Sequence, residues 1–124
     1  QAARCSNKPK KYTYAGGDER EKVAWFADNA DWQPQAVGRK KANELGIYDM
    51  SGNVWELCKD WYGKDYYKTS PATNPKGPSS GECRVLRGGG WYFFTATNFR
   101  VAHRICVPPS DGSLHFGFRV VLSQ

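Results

Sequence analysis

The sequence predicts one α+β domain of short strands and long ordered loops. Aromatic residues make up 15% of the 124 residues and glycines number 13, whereas leucine, isoleucine and valine are scarce. This balance favours an irregular, loop-rich fold over a helical bundle, which needs aliphatic residues repeated along one helix face. Alternating runs such as 84–87 are separated by segments rich in proline and glycine, such as 64–83. A chain of this length is typical of one domain or part of one.

The first elements predicted along the chain are short. Gly16-Gly17-Asp18 is a turn signal, because glycine adopts backbone angles that other residues avoid. Residues 21–28 predict a short helix or an extended piece. Residues 29–46 predict a loop, because a proline and two glycines interrupt them.

The strands are predicted in the second half of the chain. Residues 45–63 form the densest hydrophobic block, and residues 64–83 form a long loop with three prolines. Residues 84–87 alternate as a strand does, and residues 117–122 predict the final strand. We expect four aromatic residues to be largely buried and to carry stability: Trp55, Trp61, Trp91 and Phe118.

Charge and hydropathy exclude some classes of function. The net charge is +6, and the basic residues after Lys76 are all arginines. A nucleic-acid interface would need basic residues interleaved with stacking rings along one groove, and the sequence lacks that pattern. No apolar run is long enough for a membrane helix, and no signal peptide is recognisable. We expect neither nucleic-acid binding nor a transmembrane segment in this chain.

The four cysteines show no zinc or redox spacing. Cys5, Cys58, Cys83 and Cys106 contain no CxxC pair, and four cysteines in a chain of this length do not make a disulfide scaffold. Cys58 and Cys83 flank a loop and could pair, which the sequence alone does not decide.

Three consecutive large rings, Tyr92, Phe93 and Phe94, follow a glycine-rich segment. Neighbouring strand residues point to opposite faces, so the three cannot all enter one core. We expect at least two of them to be exposed. Exposed rings gathered in a patch usually mark a binding surface.

Three phrases carry a resemblance to a known family: GIYDMSGNVWELCKDWYG, NPKGPSSGECRVLRGGGW and the closing GFRVV. Together they resemble the formylglycine-generating enzyme/sulfatase-modifying factor family, from about Tyr14 to Val121. The resemblance implies a C-type-lectin-like fold of the formylglycine-generating-enzyme subgroup. The opening QAARC resembles the end of a family helix, which implies that residues 1–124 are a single C-type-lectin-like domain lacking its N-terminal part.

One branch of that family matches better, namely the variable proteins of diversity-generating retroelements. That branch has short invariant segments between its variable positions, which we call the fixed words. Four segments of this chain resemble them: RVLRGGGW, RVAHR, PS and GFRVV. The resemblance implies a variable region over residues 84–121. In that branch, rewritten asparagine codons never become Lys, Glu, Gln, Trp or Met. These five types make up 24 of the first 91 residues and none of residues 92–116.

Catalysis of the parent type is not expected. Formylglycine generation in the family needs a cysteine pair, because a thiolate is the metal ligand and the nucleophile. The resemblance places those cysteines near Phe93 and Asn98, and Cys106 is too far along to replace them. We therefore predict that the chain is not an enzyme. The alternatives are a formylglycine-generating type oxidase and a non-diversified structural domain of that family.

A second motif of the family is a calcium site. Asp49, Gly52, Val54 and Glu56 resemble its pattern, in which two side-chain oxygens and two carbonyls bind one hard cation. The resemblance implies a structural calcium ion as the cofactor. The alternative is that Asp49 and Glu56 cap turns or pair with arginines.

The function predicted from these observations is ligand binding by a hypervariable surface on a lectin-like frame. The ligand is an unknown protein or cell-surface molecule, and the expected location is the cell surface or the extracellular space. Five arginines of the fixed words are expected to bind loop carbonyls: Arg84, Arg87, Arg100, Arg104 and Arg119. The residues predicted to form the surface are Tyr92, Phe93, Phe94, Phe99, His103, Ile105, Cys106, Val107, Asp111, Gly112, Ser113, Leu114 and His115.

Overall fold

A computed structural model describes residues 12–73 and 75–121. A four-stranded sheet runs through it in the order β3-β2-β1-β4. Its strands are β1 (Trp55–Trp61), β2 (Arg84–Arg87), β3 (Ile105–Val107) and β4 (Phe116–Gly117). β2 is antiparallel to both β1 and β3, whereas β4 is parallel to β1.

The helices are short and lie in the connections. α1 covers Arg20–Val23, α2 covers Tyr66–Thr69, and a 3-10 helix covers Ala96–Phe99. Helices of one turn have little stability of their own, because few backbone hydrogen bonds offset the cost of ordering them. They are therefore held by the loops and the sheet around them.

Two hydrophobic clusters form the core. One joins Val23, Ala24 and Phe26 to Phe99, and so packs the α1 region against the 3-10 helix. The other joins Trp55, Leu86 and Val107, one residue from each of three neighbouring strands. Phe93 packs against both clusters and so connects them.

A tight turn before β1 locks the loops together. The Ser51 hydroxyl accepts a hydrogen bond from the Ala15 amide at 3.1 Å and donates one to the Phe99 carbonyl at 2.9 Å. Gly52 has a φ of 82°, and a Cβ there would lie 2.5 Å from the Trp25 carbonyl oxygen. Only glycine fits this position, because the backbones of the two loops meet there.

The strand at 84–87 is confirmed as β2, and the block at 45–63 contains β1. The segment 21–28 is helical only at its start, since α1 ends at Val23. The prediction for 117–122 is wrong in extent: β4 pairs only Phe116 and Gly117 with β1, and Leu122 lies outside the described residues. The expected family helix at QAARC also lies outside them.

Two of the four aromatic residues expected in the core are buried, namely Trp55 and Trp91. Trp61 is half-buried, and the Arg84 guanidinium lies 3.5 Å from its ring centroid. The prediction for Phe118 is wrong, because 77% of this residue is exposed. The pairing of β4 with β1 stops at Gly117, so Phe118 has no neighbouring strand to pack with among the described residues.

Candidate functional site

The main chain of the aromatic triplet is fixed by the α1 region. The Ala27 amide donates a hydrogen bond to the Phe93 carbonyl at 3.2 Å, and Arg20 Nη1 donates one to the Phe94 carbonyl at 2.8 Å. The Arg20 guanidinium also lies over the Phe26 ring, 3.8 Å from its centroid. These contacts fix the backbone of the triplet through its carbonyl groups and do not involve its side chains.

The side chains of the triplet divide between solvent and core. Tyr92 is 50% exposed and Phe94 is 54% exposed, which confirms that at least two of the three rings reach solvent. Phe93 is half-buried and packs edge-on against Trp55, with ring centroids 5.8 Å apart. Phe93 therefore packs largely with the core and the sheet, which together we call the frame.

Trp32 extends the exposed rings and was missed by the sequence analysis. Its ring centroid lies 5.6 Å from that of Tyr92 and 5.5 Å from that of Phe94, in edge-on geometry. Trp32 is 56% exposed. We call Trp32, Tyr92 and Phe94 the aromatic cluster. The sequence signal that could have identified it is a lone tryptophan in the polar loop at 29–46. In the structure, Asp31 and Trp32 have positive φ angles of 49° and 55°.

The remaining predicted surface residues lie mostly in the second half of the variable segment. The His115 ring contacts the aromatic cluster, with its centroid 5.1 Å from that of Tyr92, and it also lies 4.8 Å from the ring of Trp91. His103, Ile105 and His115 are half-buried. The exposed members are Cys106, Asp111, Gly112, Ser113 and Leu114.

Two predicted surface residues are corrected by the structure. Phe99 is fully buried, because the 3-10 helix turns it against Phe26 with ring centroids 5.9 Å apart. Val107 is buried against Trp55 and Leu86. Neither side chain is available to a ligand, and both are part of the core.

The five arginines of the fixed words each bind a main-chain carbonyl, as expected. Arg87 Nη1 donates to the Val101 carbonyl at 3.2 Å, and Arg104 Nη2 donates to the Gly63 carbonyl at 2.7 Å. Arg84, Arg100 and Arg119 donate to the carbonyls of Lys59, Thr97 and Tyr48. Arg87 thus ties a loop to β2, Arg84 joins β2 to β1, and the other three bind carbonyls within or between loops.

The structure brings the residues of the predicted calcium motif together, but both of its carboxylates already have partners. Glu56 forms a two-pronged ion pair with Arg119, whose Nε lies 2.9 Å from both carboxylate oxygens. Arg119 Nη2 also donates to the Asp49 carbonyl at 3.3 Å, while Asp49 Oδ2 accepts from the Gly38 amide at 2.7 Å. The hydrogen bond to Glu56 is the main cause that raises the pKa of Arg119.

A guanidinium already neutralises Glu56, which leaves less negative charge to attract a divalent ion. Gly52 and Val54 lie with Asp49 and Glu56 along a groove of 540 Å³ that none of the predicted surface residues lines. The calcium ion stays a prediction, and the contacts favour the alternative in which both carboxylates are structural.

His103 is a titratable residue of the predicted surface, and its surroundings alter its pKa. Burial lowers the pKa of His103 below its ordinary value of 6.5, and the nearby Arg100 and Arg87 lower it further. Its ring lies 5.8 Å from that of Trp55. A lowered pKa keeps the imidazole neutral at neutral pH.

The positions where the family's catalytic cysteines are expected hold Phe93 and Asn98. Within residues 12–73 and 75–121, no group of three or more His, Cys, Asp or Glu side chains is placed to hold a metal ion. Cys58, Cys83 and Cys106 are free thiols, so Cys58 and Cys83 do not pair. No helix in the described part of the chain is long and apolar enough to cross a membrane.

Comparison with protein families gives one match along the chain. The model described as the sulfatase-modifying factor enzyme 1-like domain matches residues 1–124. The formylglycine-generating enzyme of Thermomonospora curvata is 43% identical over 82 residues, which are 62% of this chain and 27% of that enzyme. The serine/threonine-protein kinase pkn1 of Chlamydia pneumoniae is 46% identical over 108 residues, which are 86% of this chain and 17% of the kinase.

Among solved structures, Treponema denticola variable protein 1 matches with a TM-score of 0.78 and 29% identity. The match covers 94% of this chain and 43% of that protein. The chain thus spans less than half the length of this structure and less than a third of either curated relative. This likeness confirms the α+β class and the C-type-lectin-like fold of the formylglycine-generating-enzyme subgroup.

Proposed function

The chain belongs to the sulfatase-modifying factor enzyme 1-like domain family, and from that premise we propose that it is a non-enzymatic member that binds a ligand through a hypervariable surface. The ligand is a protein or a cell-surface molecule, and recognition takes place at the cell surface or outside the cell. The likeness to a variable protein supports this proposal. The single observation that carries it is the aromatic cluster exposed on a fixed frame.

The aromatic cluster has the physical properties of a binding hot spot. Tyr92, Phe94 and Trp32 are each at least half exposed, and the Tyr92 and Phe94 rings both contact the Trp32 ring, so a partner would cover a contiguous apolar patch. Aromatic side chains bury a large area on contact and lose little conformational entropy. Tryptophan and tyrosine are also the residues that most often dominate interface energies.

Trp32 gives the surface a contribution from outside the variable segment. It lies in the loop before β1, beyond the residues that diversification would rewrite. Tyr92 and Phe94, by contrast, lie inside that segment. The proposed surface therefore combines one constant ring with rings that change, and the constant ring would contact whichever partner the changing residues select.

An enzyme of the parent type is the second candidate, favoured by the relatives named formylglycine-generating enzyme. Against it, the phenyl ring of Phe93 and the amide of Asn98 supply neither a metal-binding thiolate nor a nucleophile. An assay for oxidation of a cysteine-containing sulfatase peptide separates the two candidates. Turnover by this chain would contradict the proposal.

The proposal is tested by partner capture from a displayed protein library. The chain is compared with a variant in which Tyr92, Phe94 and Leu114 are all replaced by serine, and we expect the variant to fold and to lose the captured partner. For a captured partner, Tyr92→Ala, Phe94→Ala and Trp32→Ala should each weaken binding by about thirtyfold, because hot-spot truncations cost about 2 kcal/mol or more.

Tyr48→Ala is the matched control, because the Tyr48 ring is similarly exposed but lies on the groove that carries the calcium motif. It should leave affinity unchanged. Equal affinity of the chain and the triple-serine variant for the same partner would refute the proposed surface. A triple-serine variant that unfolds would show that these rings belong to the core.

A further inference from the structure

Two of the free thiols lie close to each other on the sheet: Cys83 immediately precedes β2, and Cys106 is on the neighbouring strand β3. The register of β2 with β3 places Val85 opposite Cys106. Side chains directly opposite each other share a face of the sheet, and so do side chains two residues apart on one strand. Cys83 is two residues before Val85, so its side chain is on the same face as that of Cys106.

The backbone on both sides is fixed in this arrangement. The Cys83 carbonyl accepts a hydrogen bond from the Tyr62 amide at 2.8 Å, which continues the pairing of β1 with β2 beyond Arg84. Cys106 is the middle residue of β3 and is exposed. The Cys106 thiol is close enough to the Cys83 thiol to raise its pKa. Diagonal neighbours on adjacent strands are within reach when their side chains point toward each other.

We propose that Cys83 and Cys106 are an oxidisable pair that closes to a disulfide between β2 and β3. With a small disulfide such as oxidised glutathione as the oxidant, one cysteine thiolate attacks a sulfur of the oxidant and releases one glutathione thiolate. The second cysteine thiolate then attacks the protein-bound sulfur and releases the other glutathione thiolate. Two protein thiols lose two hydrogens in total, and one glutathione disulfide becomes two glutathione thiols.

Closure would tie the fixed part of the chain to the variable part. Cys83 precedes the variable region, whereas Cys106 lies within it. The closed ring contains β2, the aromatic triplet and the 3-10 helix. Both ends of the segment that carries Tyr92 and Phe94 would then be held covalently, in addition to the hydrogen bonds from the α1 region.

Oxidation should be faster in alkaline solution. The hydrogen bond with the Cys106 thiol, followed by burial, raises the pKa of Cys83 to about 11. Thiolates and not thiols take part in exchange, so the rate of closure should increase as the pH rises toward that value.

The test uses the 124-residue chain with Cys5→Ser and Cys58→Ser, so that the pair alone remains. After incubation with oxidised glutathione in mildly alkaline buffer, we expect a mass decrease equal to two hydrogens, loss of both free thiols and a tryptic peptide linking Cys83 to Cys106. The melting temperature should rise by several degrees and return to its starting value on reduction, because the cross-link restricts the unfolded chain.

Cys83→Ser in the same background is the matched control, and it should stop at a glutathione adduct on Cys106. A stable adduct on Cys106 in the folded parent, with Cys83 still a free thiol, would overturn the proposal. Cross-linking that occurs only after unfolding in urea would overturn it too. Neither measurement involves a binding partner, so the outcome is independent of the proposed recognition function.

Discussion

Trp55 and Leu114 represent the two extremes of what single side chains contribute to stability in this protein. Trp55 is 1% exposed and touches both neighbouring strands, whereas Leu114 is 84% exposed. Trp55→Ala should reduce the free energy of unfolding by about 3–5 kcal/mol, because it leaves a cavity in the core. Leu114→Ala should change it by no more than about 0.5 kcal/mol. Urea melts of both variants measure the difference.

Phe93→Ala gives an internal check on that division. The ring connects the two core clusters, so we expect a loss between those of Trp55→Ala and Leu114→Ala. Similar losses for all three variants would contradict the separation of frame from surface.

His103 makes stability depend on pH. The pKa of His103 in the folded chain is below 6.5. At pH values between this lowered pKa and 6.5, the unfolded chain therefore binds a proton that the folded chain does not. Stability should therefore fall as the pH drops from 6.5 toward the folded pKa, and this contribution should be absent above 6.5. His103→Gln should remove this part of the pH dependence.

Urea melts of the chain and of His103→Gln across this pH range provide the measurement. The difference in free energy of unfolding between the two should be constant above the ordinary pKa of histidine and should change below it. Parallel curves throughout the range would show that His103 does not titrate differently in the folded state.

At the scale of elements, the turn from Asp49 to Glu56 is held by an arginine where the family motif predicts calcium. Asp49→Ala should lower the melting temperature, because the Gly38 amide loses its buried acceptor. Since Arg119 already neutralises Glu56, we expect the same decrease with calcium and with a chelator. Asp49→Asn keeps an acceptor and should lower it less.

A decrease in stability on Asp49→Ala that appears only in calcium would restore the predicted metal site. Direct calorimetric titration of the chain with calcium offers a second measurement. Heat of binding that disappears in Asp49→Asn would lead to the same conclusion.

How well each element could be predicted depended on whether neighbours in sequence determine it. β2 was predictable because two aliphatic residues, Val85 and Leu86, lie between arginines and glycines follow at once. β4 was predicted too long, because its extent is set by the short parallel contact with the start of β1, which is remote in sequence. Phe118 lies just past that contact. An alternating pattern does not reveal where a partner strand ends.

The candidate site was predicted in the same uneven way. The segment 92–116 was recognised from its composition, but composition says nothing about the direction of each side chain. Phe99 faces inward because the 3-10 helix packs on Phe26, and Trp32 joins the rings from a loop about 60 residues earlier. Both facts depend on tertiary contacts, which override local pattern.

In the molecule as a whole, one set of residues stabilises the fold and a different set forms the surface that we propose for recognition. Side chains of the core and the arginines of the fixed words determine where the loops run. The surface that we propose for recognition is made of side chains that contribute little to this scaffold. A protein of this design can change partners with little change in stability, because the two sets of residues scarcely overlap.

The hydrogen bonds that hold the aromatic triplet have an evolutionary consequence. Ala27 and Arg20 bind the carbonyls of Phe93 and Phe94, and a carbonyl is present whatever the side chain at that position. Replacing the side chain there leaves the acceptor in place. Phe93 is constrained by its packing in the core, but Phe94 is exposed, so its anchoring is insensitive to the side chain that it carries. A lineage carrying this segment can therefore sample many side chains at position 94 while few of its offspring are lost to misfolding.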